Sequence, residues 1–113
     1  MTIKYKNQGI NLDSTATISV FTCPSDATAL VKGIQINNGS TGPVNLSVQV
    51  TDTSASATFR IFSDGILAAA TEDIIRYTLV LEAGDILKMT AGTANEIQGM
   101  ISYALIDRSQ QNG

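Results

Sequence analysis

The sequence predicts an all-β protein, a single-domain antiparallel β-sandwich of jelly-roll type with about seven or eight strands. Apolar and polar residues alternate with period two over several short runs, and segments rich in turn-forming residues separate them. No connection is long enough to hold the crossover helix that a parallel sheet requires. The 113 residues, of which 43% are hydrophobic, suffice for one core.

The clearest strand is the segment VNLSVQV, whose apolar side chains occupy every second position and predict one buried face. These side chains are Val44, Leu46, Val48 and Val50. Further strands are predicted in the segments ATISVFT, LVKGIQIN, SATFRIF and IQGMISYALID. In LVKGIQIN, we expect Leu30, Ile34 and Ile36 to share a face, with Lys32 at a sheet edge or strand end.

Residues 66–76, ILAAATEDIIR, are the one segment where a helix competes with a strand, because alanines favour helices. Ile74 and Ile75 are β-branched and the surrounding pattern is that of strands. We therefore expect a loop followed by a strand.

The segment LVLEAGDILKMTAG, residues 79–92, predicts two strands around a tight turn in which Gly84 adopts a positive φ. Leu79 and Leu81 are expected to face inward, and Ile86 to do so across the turn. The charged residues Glu82, Asp85 and Lys88 are expected to be surface charges without partners for chemistry.

The composition excludes several classes of function. Histidine is absent and there is one cysteine, so neither a histidine-based catalytic centre nor a zinc, copper or iron site is expected. No turn has the dense oxygen spacing of a calcium loop. The seven basic residues are scattered and the net charge is −3, which argues against nucleic-acid binding. We expect no enzyme, no cofactor and no metal.

Location can also be addressed from the sequence. The first residues lack the apolar core of a secretion signal, and no apolar run approaches the ~20 residues that span a bilayer. We therefore expect a soluble protein, made in a cytoplasm, that does not bind a membrane. Cys23 is expected to be a small buried hydrophobe.

Three segments, taken in order, resemble small virion structural proteins of tailed bacteriophages, particularly of marine and cyanobacterial hosts. The segments are VFTCPSDATALVKGIQINNGSTGPVNLSVQVTD, LVLEAGDILKMTAG and IQGMISYALID, and the resemblance covers roughly residues 16–107. It implies a non-catalytic virion protein, with a decoration or cement protein of the capsid as the favoured form. Such a protein would bind the major capsid protein as a homo-oligomer, with a trimer favoured, and stabilise the head shell after synthesis in the host cytoplasm.

The resemblance leaves an alternative, a protein associated with the tail, neck or fibre. That alternative includes a module that binds host-surface carbohydrate through an exposed aromatic residue such as Tyr77 or Tyr103.

The two ends of the chain are polar and are expected to fray in a monomer, whereas in an assembly they would lie across a neighbour. We therefore divide the chain into an N-terminal arm (residues 1–13), a β-sandwich domain (14–107) and a C-terminal tail (108–113). The predicted partner contacts are Ile3, Tyr5, Ile10, Leu12 and Arg108.

Overall fold

The computed structural model describes residues 2–107, which form an all-β protein and confirm the predicted fold class. These residues contain nine strands and no helix. The strands are β1 (Thr2–Leu12), β2 (Ile18–Thr22), β3 (Ala27–Asn38), β4 (Val44–Asp52), β5 (Ala57–Ile66), β6 (Thr71–Asp73), β7 (Leu79–Leu81), β8 (Ile86–Ala91) and β9 (Ile97–Asp107).

The strands form two sheets whose described pairs are all antiparallel. Sheet A has the order β1-β9-β3-β6, with β7 also paired to β3, and sheet B has the order β2-β8-β4-β5. The pairs are nested along the chain, because β1 pairs with β9, β2 with β8, β3 with β6 and β7, and β4 with β5. This winding of strands over two sheets is that of a jelly roll.

β6 and β7 are two halves of one interrupted strand. Both run antiparallel to β3, β6 alongside Gln35–Asn37 and β7 alongside Ala29–Val31. Counted in this way the sandwich has eight strand positions, in line with the predicted number.

The core lies between the inner faces of the two sheets. β4 has the predicted alternation, and its four apolar side chains at positions 44, 46, 48 and 50 are all buried. The largest fully buried side chains from sheet A include Leu12, Ile34, Ile36, Leu81, Ile97 and Ile101, and those from sheet B include Leu46, Leu87 and Met89.

The prediction that Leu30 shares a face with Ile34 and Ile36 is wrong. The register of β3 against β9 shifts between Val31 and Gly33, so Lys32 is an extra, bulged residue. A bulge exchanges the two faces of a strand along its length. Val31 is therefore buried with Ile34 and Ile36, and Leu30 faces outward.

Residues 66–76 contain the predicted turn and a short strand, but Ile66 still belongs to β5, and the strand ends before Ile74 and Ile75, on which the prediction rested. The turn contains Ala69 at φ 57°, and β6 covers only Thr71–Asp73. Ile74 follows the strand; it is buried, and its N–H donates to the carbonyl of Ile34 at 3.0 Å.

Residues 79–92 do not form a hairpin. β7 belongs to sheet A and β8 to sheet B, so the turn between them carries the chain from one sheet to the other. Gly84 has the predicted positive φ, +84°, and Leu81 is buried as predicted. In β8, Leu87 is buried and Ile86 is only half-buried, contrary to expectation.

The predicted arm is a strand over most of its length. β1 pairs with β9 in an unbroken register from Thr2 opposite Asp107 to Leu12 opposite Ile97. Residues 2–12 are therefore a paired strand of sheet A, and the expectation that this end frays in a monomer stays a prediction. The division into arm, domain and tail stays a prediction, and residues 108–113 lie outside the described residues.

Candidate partner-binding surface

The predicted partner contacts separate into two groups in the structure. Ile3 and Tyr5 are exposed, at 54% and 83% of their surface. Ile10 and Leu12 are core residues, at 4% and 0%, and so are not accessible to a partner. Arg108 lies outside the described residues. Ile3 and Tyr5 therefore have the exposure that a partner contact requires, Ile10 and Leu12 do not, and the contact through Arg108 stays a prediction.

Tyr5 is one end of an apolar row that crosses sheet A. Tyr5 lies opposite Ala104, Ala104 opposite Leu30, and Leu30 opposite Val80. Residues directly opposite each other in antiparallel strands place their side chains on the same face. The row points away from the core, because the next position of β3, Val31, is fully buried.

A second row lies beside the first on the same outer face. Ile3 is opposite Ile106, which is opposite Thr28. We call the apolar side chains of the two rows the outer apolar patch: Ile3, Tyr5, Leu30, Val80, Ala104 and Ile106. Ile3, Tyr5 and Val80 of this patch are exposed, Leu30 and Ile106 are half-buried, and Ala104 is buried, at 3%. Neighbouring exposed apolar residues mark partner-binding surfaces more often than isolated ones do. Tyr5 contributes a large contact area with little side-chain entropy to lose.

Leu30 and Val80 were missed by sequence reasoning, which assigned Leu30 to the core. The available signal was Gly33, because an isolated glycine in a strand often marks a bulge. With a bulge at Lys32, the alternation on the N-terminal side of β3 is reversed and Leu30 becomes an outer residue.

The other half of the outer face of sheet A is mainly polar, with Met100 as its exposed apolar side chain, at 41%. Asn11, Gln98, Asn37 and Thr71 form a row across its four strands. The Gln98 amide donates to Asn11 Oδ1 at 3.4 Å, and the Asn37 amide donates to Thr71 Oγ1 at 3.0 Å. The Gln98 and Asn37 amides thus have hydrogen-bond partners within sheet A, so the apolar half is the part of the face that gains most from a partner.

The two tyrosines considered for carbohydrate binding differ in position. Tyr103 is buried, with its ring centroid 4.6 Å from that of Phe21 and its pKa raised by burial, so it offers no platform. Tyr77 is 84% exposed. The depression beside Tyr77 is lined by residues 61, 62 and 73–79, which include no asparagine or glutamine. Neither tyrosine is therefore an aromatic platform with adjacent amides.

Asp85 is a structural carboxylate and not the surface charge that was predicted. It is 4% exposed, and its Oδ1 accepts hydrogen bonds from the N–H of Thr53 at 3.1 Å and its hydroxyl at 3.3 Å. Its Oδ2 accepts one from the N–H of Glu82 at 2.9 Å. Because these donors satisfy both oxygens, the buried charge ties the β4–β5 turn to the turn after β7.

Asp85 also belongs to an acidic cluster with Asp52 and Glu82, whose carboxylate oxygens lie within 4.8 Å of one another. Glu82 is exposed. The pKa of Asp52 is lowered by hydrogen bonds from the Ser54 hydroxyl, at 2.8 Å, and from the Ala55 N–H, at 3.1 Å. The cluster therefore places acidic side chains beside the end of β7.

Two further predictions concern Cys23 and the membrane. Cys23 is 1% exposed, as predicted for a small buried hydrophobe. No helix that could cross a membrane is found in residues 2–107.

No protein-family model and no curated protein sequence matches the chain. Solved structures with a similar fold include a chain of the T13 particle of infectious bursal disease virus, with a TM-score of 0.56 at 10% identity. That match covers 94% of this chain and 31% of the viral chain, so the chain spans about a third of its viral counterpart.

A protein of Bacillus endospore appendages, which form disulfide-linked pili, gives a TM-score of 0.58 at 12% identity. The match covers 94% of this chain and 88% of that one. A pentameric capsid protein from metagenomic phage sequences matches more weakly, with a TM-score of 0.43 at 16% identity over 91% of this chain and 62% of that one. At such identities the likeness shows a common fold, which occurs in a virus particle and in a pilus.

Proposed function

We propose that the chain is a non-enzymatic virion structural protein of a tailed bacteriophage, acting as a decoration (cement) protein that binds and stabilises the head shell. The outer apolar patch is the observation that carries this proposal. It places Tyr5, Ile3 and Val80, each more than half exposed, on one face of a jelly-roll sandwich. The ordered motifs over residues 16–107 and the fold found in a virus particle support the phage context.

The mechanism follows from burial of this patch. Covering one exposed large apolar side chain contributes roughly 1.5–3 kcal/mol before the costs of association are subtracted. A protein that binds the assembled shell and not its dissociated subunits stabilises the shell by mass action. In this proposal the partner is the major capsid protein, and the decoration protein sits on the capsid surface as a homo-oligomer, with a trimer favoured.

Purified head shells provide the test. We expect the protein to co-sediment with heads that lack it and to raise their melting temperature. Antibody labelling of intact particles should place it on the head. Absence of binding to heads, together with label on the tail, would contradict a decoration role.

A second candidate is a subunit of the tail, neck or fibre. The likeness to the appendage protein favours it, because that match covers most of both chains and the appendages are pili. The same labelling experiment separates the two candidates by the position of the label on the particle.

A further inference from the structure

The two edges of sheet A are both free in the described part of the chain. β1 forms one edge, and β7 with β6 forms the other; no described strand pairs with their outer sides. A free edge presents unpaired backbone N–H and C=O groups and can accept a strand from another chain. β1 is the longer of the two edges, with 11 residues.

The strand directions allow one copy to continue the sheet of another. β1 and β3 are both antiparallel to β9, so they run the same way, and β7 runs opposite to both. If a second copy in the same orientation is placed beside the β7 edge, its β1 lies antiparallel to β7. The extended sheet A would then keep antiparallel pairing throughout.

The outer apolar patch supports this arrangement because one of its rows reaches both edges. Tyr5 is at the β1 edge and Val80 at the β7 edge. Continuing the row from one copy to the next places Val80 opposite Tyr5 of the neighbour. An aromatic and a β-branched residue directly opposite each other form a favourable cross-strand pair.

The charges of the two edges are complementary. β1 carries Lys4 and Lys6 and no acidic residue, and both lysines are exposed. β7 ends at Glu82, which lies in the acidic cluster. With Val80 opposite Tyr5 of the neighbour, Lys4 of the neighbour lies opposite Leu81, next to Glu82. Pairing two β1 strands about Tyr5 would instead bring the lysines together, which is unfavourable.

We infer that copies of this chain associate head to tail through sheet A, with β1 of one copy pairing antiparallel to β7 of the next and Tyr5 meeting Val80. Such a contact joins two different surfaces, so it closes into a ring or continues as a filament. A ring of three copies would be the trimer of the proposed function. The inference deepens that function's homo-oligomer, and its test needs only the purified protein.

Cysteine cross-linking tests the register. Tyr5→Cys and Val80→Cys variants are prepared separately, mixed at high concentration, oxidised and separated on a non-reducing gel. Directly opposite residues fall within the Cα–Cα range of a disulfide. We expect covalent dimers at roughly ten times the yield of either variant alone, and a ladder of oligomers from the double variant.

Matched controls make each outcome decisive. Tyr77→Cys is the control for Tyr5→Cys, since Tyr77 is 84% and Tyr5 83% exposed. Mixed with Val80→Cys, it should give only background dimers, because residues 77 and 80 lie near the same edge. A mixture of Tyr5→Cys and Val80→Cys that yields no more dimer than the single variants would overturn the inference. So would Tyr5→Cys linking to itself equally well, which would indicate β1–β1 pairing.

Charge reversal supplies a second test. Lys4→Glu with Lys6→Glu should lower the yield of the Tyr5–Val80 cross-link several-fold, and adding Glu82→Lys should restore much of it. An unchanged cross-link yield in the Lys4→Glu, Lys6→Glu variant would contradict the attraction between these lysines and Glu82 of the next copy. Because no capsid takes part, failure of these tests would remove the head-to-tail contact without touching the head-binding proposal.

Discussion

The two halves of β1 both pair with β9 but differ in the burial of their side chains. The first half is exposed, including Lys4 and Lys6 on the face that points toward sheet B. The second half carries Ile10 and Leu12, which are buried in the core. Hydrogen bonding to β9 is therefore enough to place the whole strand, whereas burial of side chains makes only its second half part of the core.

The same comparison explains which residues are available to partners. Positions 3 and 5 are odd and positions 10 and 12 are even, so in an unbroken strand the two pairs face opposite sides. Ile3 and Tyr5 therefore join the outer apolar patch, and Ile10 and Leu12 join the core. This separation can be derived from the sequence once residues 2–12 are taken as one strand.

The largest expected effect is a contrast in stability between the two halves. Leu12→Ala should lower the free energy of unfolding by about 3 kcal/mol, because Leu12 is fully buried and leaves a cavity. Ile3→Ala should change it by less than about 0.5 kcal/mol. Urea denaturation measures both. Equal losses would show that the first half of β1 packs as tightly as the second.

The next effect concerns Asp85, at the end of sheet A where the first half of β1 lies. Asp85→Ala should cost about 2–3 kcal/mol, because it removes the charged acceptor of three part-buried hydrogen bonds from Thr53 and Glu82. The control Glu82→Ala removes an exposed carboxylate and should cost less than about 0.5 kcal/mol. Chemical denaturation of the two variants distinguishes them. A change of less than about 0.5 kcal/mol in the free energy of unfolding of Asp85→Ala would show that the hydrogen bonds of Asp85 do not stabilise the fold.

A smaller effect should appear in the hydrogen exchange of β1 itself. Local opening of the first half exposes little apolar surface, so its hydrogen-bonded amides should be protected roughly tenfold less than those near Leu12. Amide exchange followed by NMR resolves the two groups. Uniform protection along β1 would contradict the contrast between the halves.

The smallest effect is the titration of Asp52, beside the same end of sheet A. Its pKa is lowered in the folded protein by the Ser54 and Ala55 hydrogen bonds, below the ordinary value of 3.8. The associated stability is therefore present above the unfolded pKa and is lost as the pH falls through the folded one. Carboxyl NMR should find the lowered pKa, and Ser54→Ala should raise it. A pKa at or above 3.8 in the parent protein would contradict this.

Sequence reasoning predicts the elements whose pattern is local. The alternation of β4 and the positive φ of Gly84 both follow from neighbouring residues and are found in the structure. The bulge at Lys32 and the crossing of the chain from β7 to β8 depend on which strands pair, and short-range patterns do not contain that information.

The candidate surface could be predicted only in part, for the same reason. Ile3 and Tyr5 stand out as apolar residues in a polar segment. Leu30 and Val80 join them through the register of four strands. Asp85 resembles any turn aspartate in sequence, and its donors at Thr53 and Glu82 are brought to it by the fold.

The most direct test of the partner role of the outer apolar patch compares two double variants in binding to head shells. Ile3→Ser with Tyr5→Ser alters the patch. Phe59→Ser with Tyr77→Ser changes side chains of matched exposure elsewhere, 53% and 84% against 54% and 83%. We predict equal urea midpoints, with head binding weakened at least about tenfold in the first variant and unchanged in the second. Wild-type binding by the first variant, or equal loss in both, would contradict the account.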